Sequence, residues 1–152
     1  MIEVVVEDAA WTEALPDAAA LAEQAATAAL SGVAGDVALL LAGDAEIQAL
    51  NAQFREQDRP TNVLSFPAPA SAGGALGDIA LAYGVCAAEA RAQGKPLAHH
   101  LQHLVVHGVL HLLGLDHAAD AEAAAMEARE RRILAGLGVP DPYRAEAGAA
   151  RV

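Results

Sequence analysis

The run His103-Leu-Val-Val-His107-Gly-Val-Leu-His111-Leu-Leu-Gly114-Leu-Asp-His117 decides how the rest of the chain is read. Apolar residues fill the gaps between histidines, which predicts a buried or half-buried helix carrying imidazoles from about Leu97 to Leu113. His107 and His111 are four apart, so a helix places them one turn apart on one face, where both can reach one cation. Gly114 supplies a position at which the chain can turn sharply. His117, three residues further on, can then swing back to add a third imidazole. A rival set, His103 with His107 and His111, fits less well, because three ligands in line on a straight helix are spread too far along its axis to share one ion. His99 and His100 are expected at the surface or at the helix entry.

This spacing is the skeleton of the metzincin motif H-E-x-x-H-x-x-G-x-x-H with one change. Glycine stands at 108, where those proteases carry the glutamate that shuttles a proton to the amine leaving group. Three neutral imidazoles leave Zn²⁺ an open position, and the metal lowers the pKa of water toward neutrality. Without the glutamate a protease is disfavoured. Phosphodiester hydrolysis stays open, since its main demands are an oriented nucleophile and stabilised phosphoryl oxygens.

Outward from this stretch, Ile2 to Val6 and Asp36 to Ala42 read as β-branched or apolar strands. Pro16 to Leu30 reads as a helix stopped at Ser31-Gly32, and Trp11 to Leu15 as a connector. Asp44 is the expected N-cap of a helix reaching about Phe54. A polar loop follows, then a strand from Val63 to Phe66 stopped by Pro67. The small-residue segment from Ala68 to Gly74 leads to a strand from Leu76 to Tyr83. Helices are expected from Gly84 to Gln93 and from Ala119 to Leu134. The expectation is an α+β domain spanning 1–152, with about four strands in a mostly parallel or mixed sheet and about five helices. Strands 63–66 and 76–82 could form an antiparallel pair. Residues 145–152 are expected to fray.

Composition narrows the class. The chain has 152 residues, 55% of them hydrophobic and only 3% aromatic, so Leu, Val, Ile and Ala must build the core. Its net charge of −11 opposes strong nonspecific affinity for nucleic acid, so an anionic substrate would need a local basic patch. One cysteine, Cys86, excludes an internal disulfide and suits a reducing cytosol, where it is read as an inert core residue. The N-terminal residues read as neither a signal peptide nor a membrane anchor.

Three blocks then resemble one family. Phe54-Arg55-Glu-Gln-Asp58-Arg59-Pro60-Thr61-Asn62-Val63-Leu64-Ser65-Phe66-Pro67 resembles the F/Y-R-x-K-D-x-P-T-[DN]-V-L-S-F-P block of the YbeY family of bacterial rRNA-maturation endoribonucleases. Gly77-Asp78-Ile79 is similar to its G-D-[IL], and His103 to His117 to its H-x-x-V-H-G-x-L-H-L-x-G-[YH]-D-H. Gln57, where the family usually has Lys, and Leu115, where it often has Tyr, depart from the pattern.

The resemblance implies a cytoplasmic, zinc-dependent, single-strand-specific endoribonuclease acting in 16S rRNA 3′-end maturation and ribosome quality control, with the small ribosomal subunit or its proteins as partners and no membrane. His107, His111 and His117 would hold one Zn²⁺. Arg55 would be the catalytic arginine, holding phosphate oxygens with its planar guanidinium; from position alone it reads as a helix C-terminal residue complementing the dipole. Thr61, Asn62 and Ser65 read as loop-fixing residues. Asp78 is read either as structural or as a contact near the metal, Asp116 as a cap or a partner of a ligand histidine, and Met126 as core. A hydrolase of amides or esters, and a non-catalytic ribosome-assembly factor with structural zinc, are the competing functions.

Overall fold

Four β-branched residues near the N-terminus, Ile2, Val4, Val5 and Val6, begin a four-stranded sheet in order β1-β2-β4-β3. The structure is a computed structural model and describes residues 1–69, 73–115 and 119–143. The strands are β1 (Ile2–Val6), β2 (Asp36–Ala42), β3 (Val63–Pro67) and β4 (Ala75–Ala82). β1, β2 and β4 run parallel. β3 lies antiparallel on the outer edge of β4, so the sheet is mixed and the expected 63–66 with 76–82 pairing is present.

Six helices are seen among the described residues: α1 (Ala10–Ala14), α2 (Ala18–Leu30), α3 (Asp44–Arg55), α4 (Tyr83–Ala92), α5 (Leu97–Leu112) and α6 (Asp120–Gly136). The sixth is α1, read from the sequence as a connector. It is a single turn anchored by Trp11, whose buried indole donates to the Ala42 carbonyl at 2.9 Å. That tie comes from a strand 31 residues away, so no local pattern reveals it. Asp44 is likewise not the cap of α3. Gly43 takes that place, its N–H held by Glu46 at 3.2 Å, and the Asp44 carboxylate instead accepts the Val85 N–H at 3.1 Å.

Strand alternation gives the sheet two different faces. Val37, Leu39, Leu41, Ile79 and Leu81 point to the larger core, shared with α2, α5 and α6. Ala42, Leu64, Ala80 and Ala82 point the other way, to a small cluster under α3 with Ile47, Leu50 and Phe66 beside it. Alanine lets the helices approach closely: Ala18, Ala22, Ala25, Ala26 and Ala29 of α2 are all fully buried. Met126 is core, as its spacing predicts.

Two glycines set the distance between α5 and β3/β4. A Cβ on Gly77 would sit 2.3 Å from the Phe66 carbonyl and 2.8 Å from Leu112 Cδ2, and its φ of +146° is one that L-residues rarely adopt. A Cβ on Gly108 would lie 3.0 Å from Ile79 Cδ1 and 3.2 Å from Ser65 Oγ. α5 therefore meets the sheet where the metzincins carry their glutamate, and a side chain at 108 would crowd Ile79 and Ser65.

A histidine pair and its buried carboxylate

α5 ends as its sequence predicts. Gly114 has φ +94°, its N–H bonds the His111 carbonyl at 3.0 Å, and the Leu115 N–H bonds the Leu110 carbonyl at 3.0 Å. These two bonds form a Schellman turn and reverse the chain just after His111. His117 and Asp116 lie outside the described residues.

The Nε2 atoms of His107 and His111 are 3.0 Å apart, with ring centroids 4.6 Å apart. His103 does not join them. Its centroid is 6.4 Å from that of His107, and its Nε2 turns to Glu130 at 3.4 Å. Among the described residues the convergent pair is therefore 107/111, and no group of three possible donors is present there.

Glu130 was not singled out by the sequence reading, and it is the residue that organises this pair. It is fully buried on α6. One carboxylate oxygen lies 2.5 Å from His107 Nδ1, and the other accepts from Tyr143 Oη and contacts His103. Burial by itself raises the pKa of this carboxyl. The hydrogen bonds from His103, His107 and Tyr143 outweigh that and hold it at about 2. Burial and the neighbouring carboxylate push the Tyr143 phenol well above its ordinary value, so it remains a donor. A charged Glu130 fixes the His107 proton on Nδ1, which turns Nε2 into the lone-pair nitrogen facing His111. The sequence carries a signal for this: Met126, Glu130 and Leu134 are four apart, a lone acid inside a buried helical stripe.

The residues present suit a shared cation. Bonds of 2.0–2.1 Å at a tetrahedral angle separate two ligand nitrogens by roughly 3.3 Å, close to the 3.0 Å found here. A carboxylate behind a ligand histidine is also the usual companion of such a site.

Arg55 lines the same cleft as His107 and His111, together with Asn62, Ser65, Pro67 and Leu115; its volume is about 600 Å³. Arg55 is the last residue of α3, and its guanidinium donates to the Ser65 carbonyl at the open edge of β3 at 3.1 Å. The Arg59 guanidinium is held by Gln57, whose side-chain oxygen accepts from it at 3.0 and 2.7 Å. Of the residues read as fixing the loop between α3 and β3, Asn62 makes a local bond of the expected kind, while the Ser65 hydroxyl reaches the Gly108 carbonyl of α5 instead. Asn51 holds the Arg59 carbonyl at 2.8 Å, while Asn62 holds Glu89 at 3.1 Å and accepts from the Val63 N–H at 2.6 Å.

Asp78 pairs across the sheet with Phe66 and is exposed on the face away from α5, so it is not a contact of the histidine pair. His100 is not at the surface: it is 4% exposed and paired with Glu89 at 2.9 Å. Cys86 is buried, and burial pushes its thiol far above the usual range, as an inert core residue requires.

The cleft gathers a histidine pair and an arginine, and the chain around it matches one class of protein, the hydrolytic nucleases: the family model for Endoribonuclease YbeY matches residues 4–138. The Endoribonuclease YbeY of Azorhizobium caulinodans is 51% identical over 93% of this chain and 95% of its own. That of Paramagnetospirillum magneticum is 51% identical over 93% and 94%, and that of Cereibacter sphaeroides 46% over 94% and 98%. The solution structure of TM1509 from Thermotoga maritima has a TM-score of 0.57 and 25% identity, covering 90% of this chain and 91% of that one. The chain belongs to the YbeY endoribonuclease family. RNA is thus the substrate class, and among the described residues no helix is long and apolar enough to cross a membrane.

Proposed function

We propose that the protein is a cytoplasmic, zinc-dependent endoribonuclease that cleaves single-stranded RNA, with 16S rRNA and the small ribosomal subunit as its natural setting. The observation that carries the reading is the convergence of His107 and His111, braced by Glu130, in the cleft that Arg55 also lines. His107, His111 and His117 are the residues that would hold one Zn²⁺. Such an ion supplies Lewis acidity and an acidified water.

The chain's own groups do the rest. Glu130 keeps the His107 lone pair on Nε2 and takes part of the positive charge that accumulates around the pair. Arg55 can hold two oxygens of a phosphodiester as charge builds on them. Ser65 and Pro67 of β3 line the same cleft. Family membership favours this reading over an amidase, and a cleft open to solvent favours it over a structural zinc site.

The test joins metal analysis to cleavage of single-stranded RNA. Wild type should carry about one equivalent of zinc and cleave. His107→Ala, His111→Ala and His117→Ala should each lose both the metal and the cleavage while keeping the fold. A folded His111→Ala protein that cleaves at the wild-type rate would refute the reading.

A further inference from the structure

On the sheet face opposite α5 lies a groove of about 590 Å³ lined by Leu40, Leu50, Phe54, Phe66, Pro67 and Ala80. Its size falls in the roughly 300–1,000 Å³ range of small-molecule sites. We propose that this groove is a stacking subsite for one unpaired nucleobase of the RNA, with the Phe54 ring as its platform. The inference rests on the endoribonuclease reading and deepens it.

The aromatic rings point here first. The chain has five Phe, Tyr and Trp residues in all. Trp11 is buried, and Tyr83 packs edge-on against it at 5.3 Å. Both phenylalanines meet in the groove, with centroids 5.4 Å apart and planes at 64°. Phe66 is half-buried, whereas Phe54 is 58% exposed. An edge-to-face contact holds a ring by its edge and leaves a face for another π-system.

Position comes next. Phe54 immediately precedes Arg55, whose guanidinium reaches over the edge of β3 to Ser65. Pro67 lines both this groove and the histidine cleft, so the two adjoin at that residue. A strand whose phosphate rests on Arg55 has a neighbouring base within reach of Phe54.

Charge selects what enters. Asp78 also lines the groove, and its exposed carboxylate repels phosphate while tolerating a neutral base. A chain of net charge −11 gains little from long-range attraction to RNA. Stacking supplies affinity without net charge and serves every base, because each has a π-face.

The experiment uses the protein as purified and short single-stranded oligoribonucleotides made abasic at one position at a time. Binding is read by fluorescence anisotropy and cleavage by initial rates. Phe54→Ala should raise KM and Kd about tenfold and leave kcat nearly unchanged. Phe54→Trp should keep wild-type affinity, and Phe54→Leu should behave like Phe54→Ala. One abasic position should cost wild type the same tenfold and cost Phe54→Ala nothing more.

Equal affinity of the Leu and Trp variants would overturn the subsite. So would a wild type indifferent to every abasic position. If wild type cleaves RNA and Phe54→Ala does so identically, the subsite falls and the nuclease stands. If wild type neither binds nor cleaves any oligoribonucleotide, the nuclease reading falls and takes the subsite with it.

Discussion

His107 Nδ1 and Glu130 Oε1 lie 2.5 Å apart, joining the helix that bears the histidine pair to a carboxylate with no solvent exposure. Two helices are thereby tied at the atom that decides which His107 nitrogen faces the cleft.

Glu130→Gln keeps the volume and loses the charge. Removing the carboxylate behind a ligand histidine typically costs about 10–100-fold in metal affinity or activity, and this variant should show that loss. It should also lose stability, because in wild type the depressed Glu130 pKa stabilises the fold above the ordinary carboxyl value of 4.5 and fades as pH falls toward about 2. Metal titration and urea unfolding at pH 7 and pH 3 check both: the stability gap should be large at pH 7 and smaller at pH 3.

Arg55 is exposed and makes one described hydrogen bond, to the Ser65 carbonyl. Arg55→Ala should leave the unfolding free energy within about 0.5 kcal/mol of wild type. Cleavage should fall about 10²–10³-fold if the guanidinium stabilises phosphoryl charge. Arg55→Lys should recover only part of that, since an ammonium cannot grip two oxygens in a fork. Equal kcat for the Lys variant and wild type would remove Arg55 from that role.

Gly77→Ala places a methyl 2.3 Å from the Phe66 carbonyl, which is backbone and cannot yield as a side chain tip can. The cost should be about 3 kcal/mol or more, from overpacking together with a strained φ. Gly108→Glu, which restores the metzincin pattern, should cost less, about 1–2 kcal/mol, because the added chain crowds only the side chains of Ile79 and Ser65. Thermal melts of both variants check this, and a Gly108→Glu protein as stable as wild type would mean that α5 can lift from the sheet.

Burial pushes the His100 imidazole below its ordinary value of 6.5, against the opposing pull of Glu89. The unfolded chain therefore takes up a proton near pH 6.5 that the folded chain resists, and stability falls as pH drops below that point. His100→Gln removes this contribution. The difference in unfolding free energy between wild type and variant should shift in the variant's favour between pH 7 and pH 5, as read from urea midpoints.

Much of this molecule was legible in its sequence. Wherever a residue's role depends on its own neighbours in the chain, the pattern sufficed: four-residue spacing set the His107/His111 face, Gly114 set the turn, and β-branched runs set the strands. The bond from the Val63 N–H to Asn62 followed for the same reason, whereas the Asn62 bond to Glu89 spans 27 residues. What needed the tertiary structure was every role defined by a partner far along the chain. Glu130 became the brace of His107 only because α6 packs on α5, 23 residues away. Trp11 made a helix out of a connector by reaching Ala42, and Gly108 was required by Ile79 and Ser65 pressing against it. Periodicity records which side of an element is buried. It does not record what that side is buried against, because packing between elements is chosen by the whole fold at once.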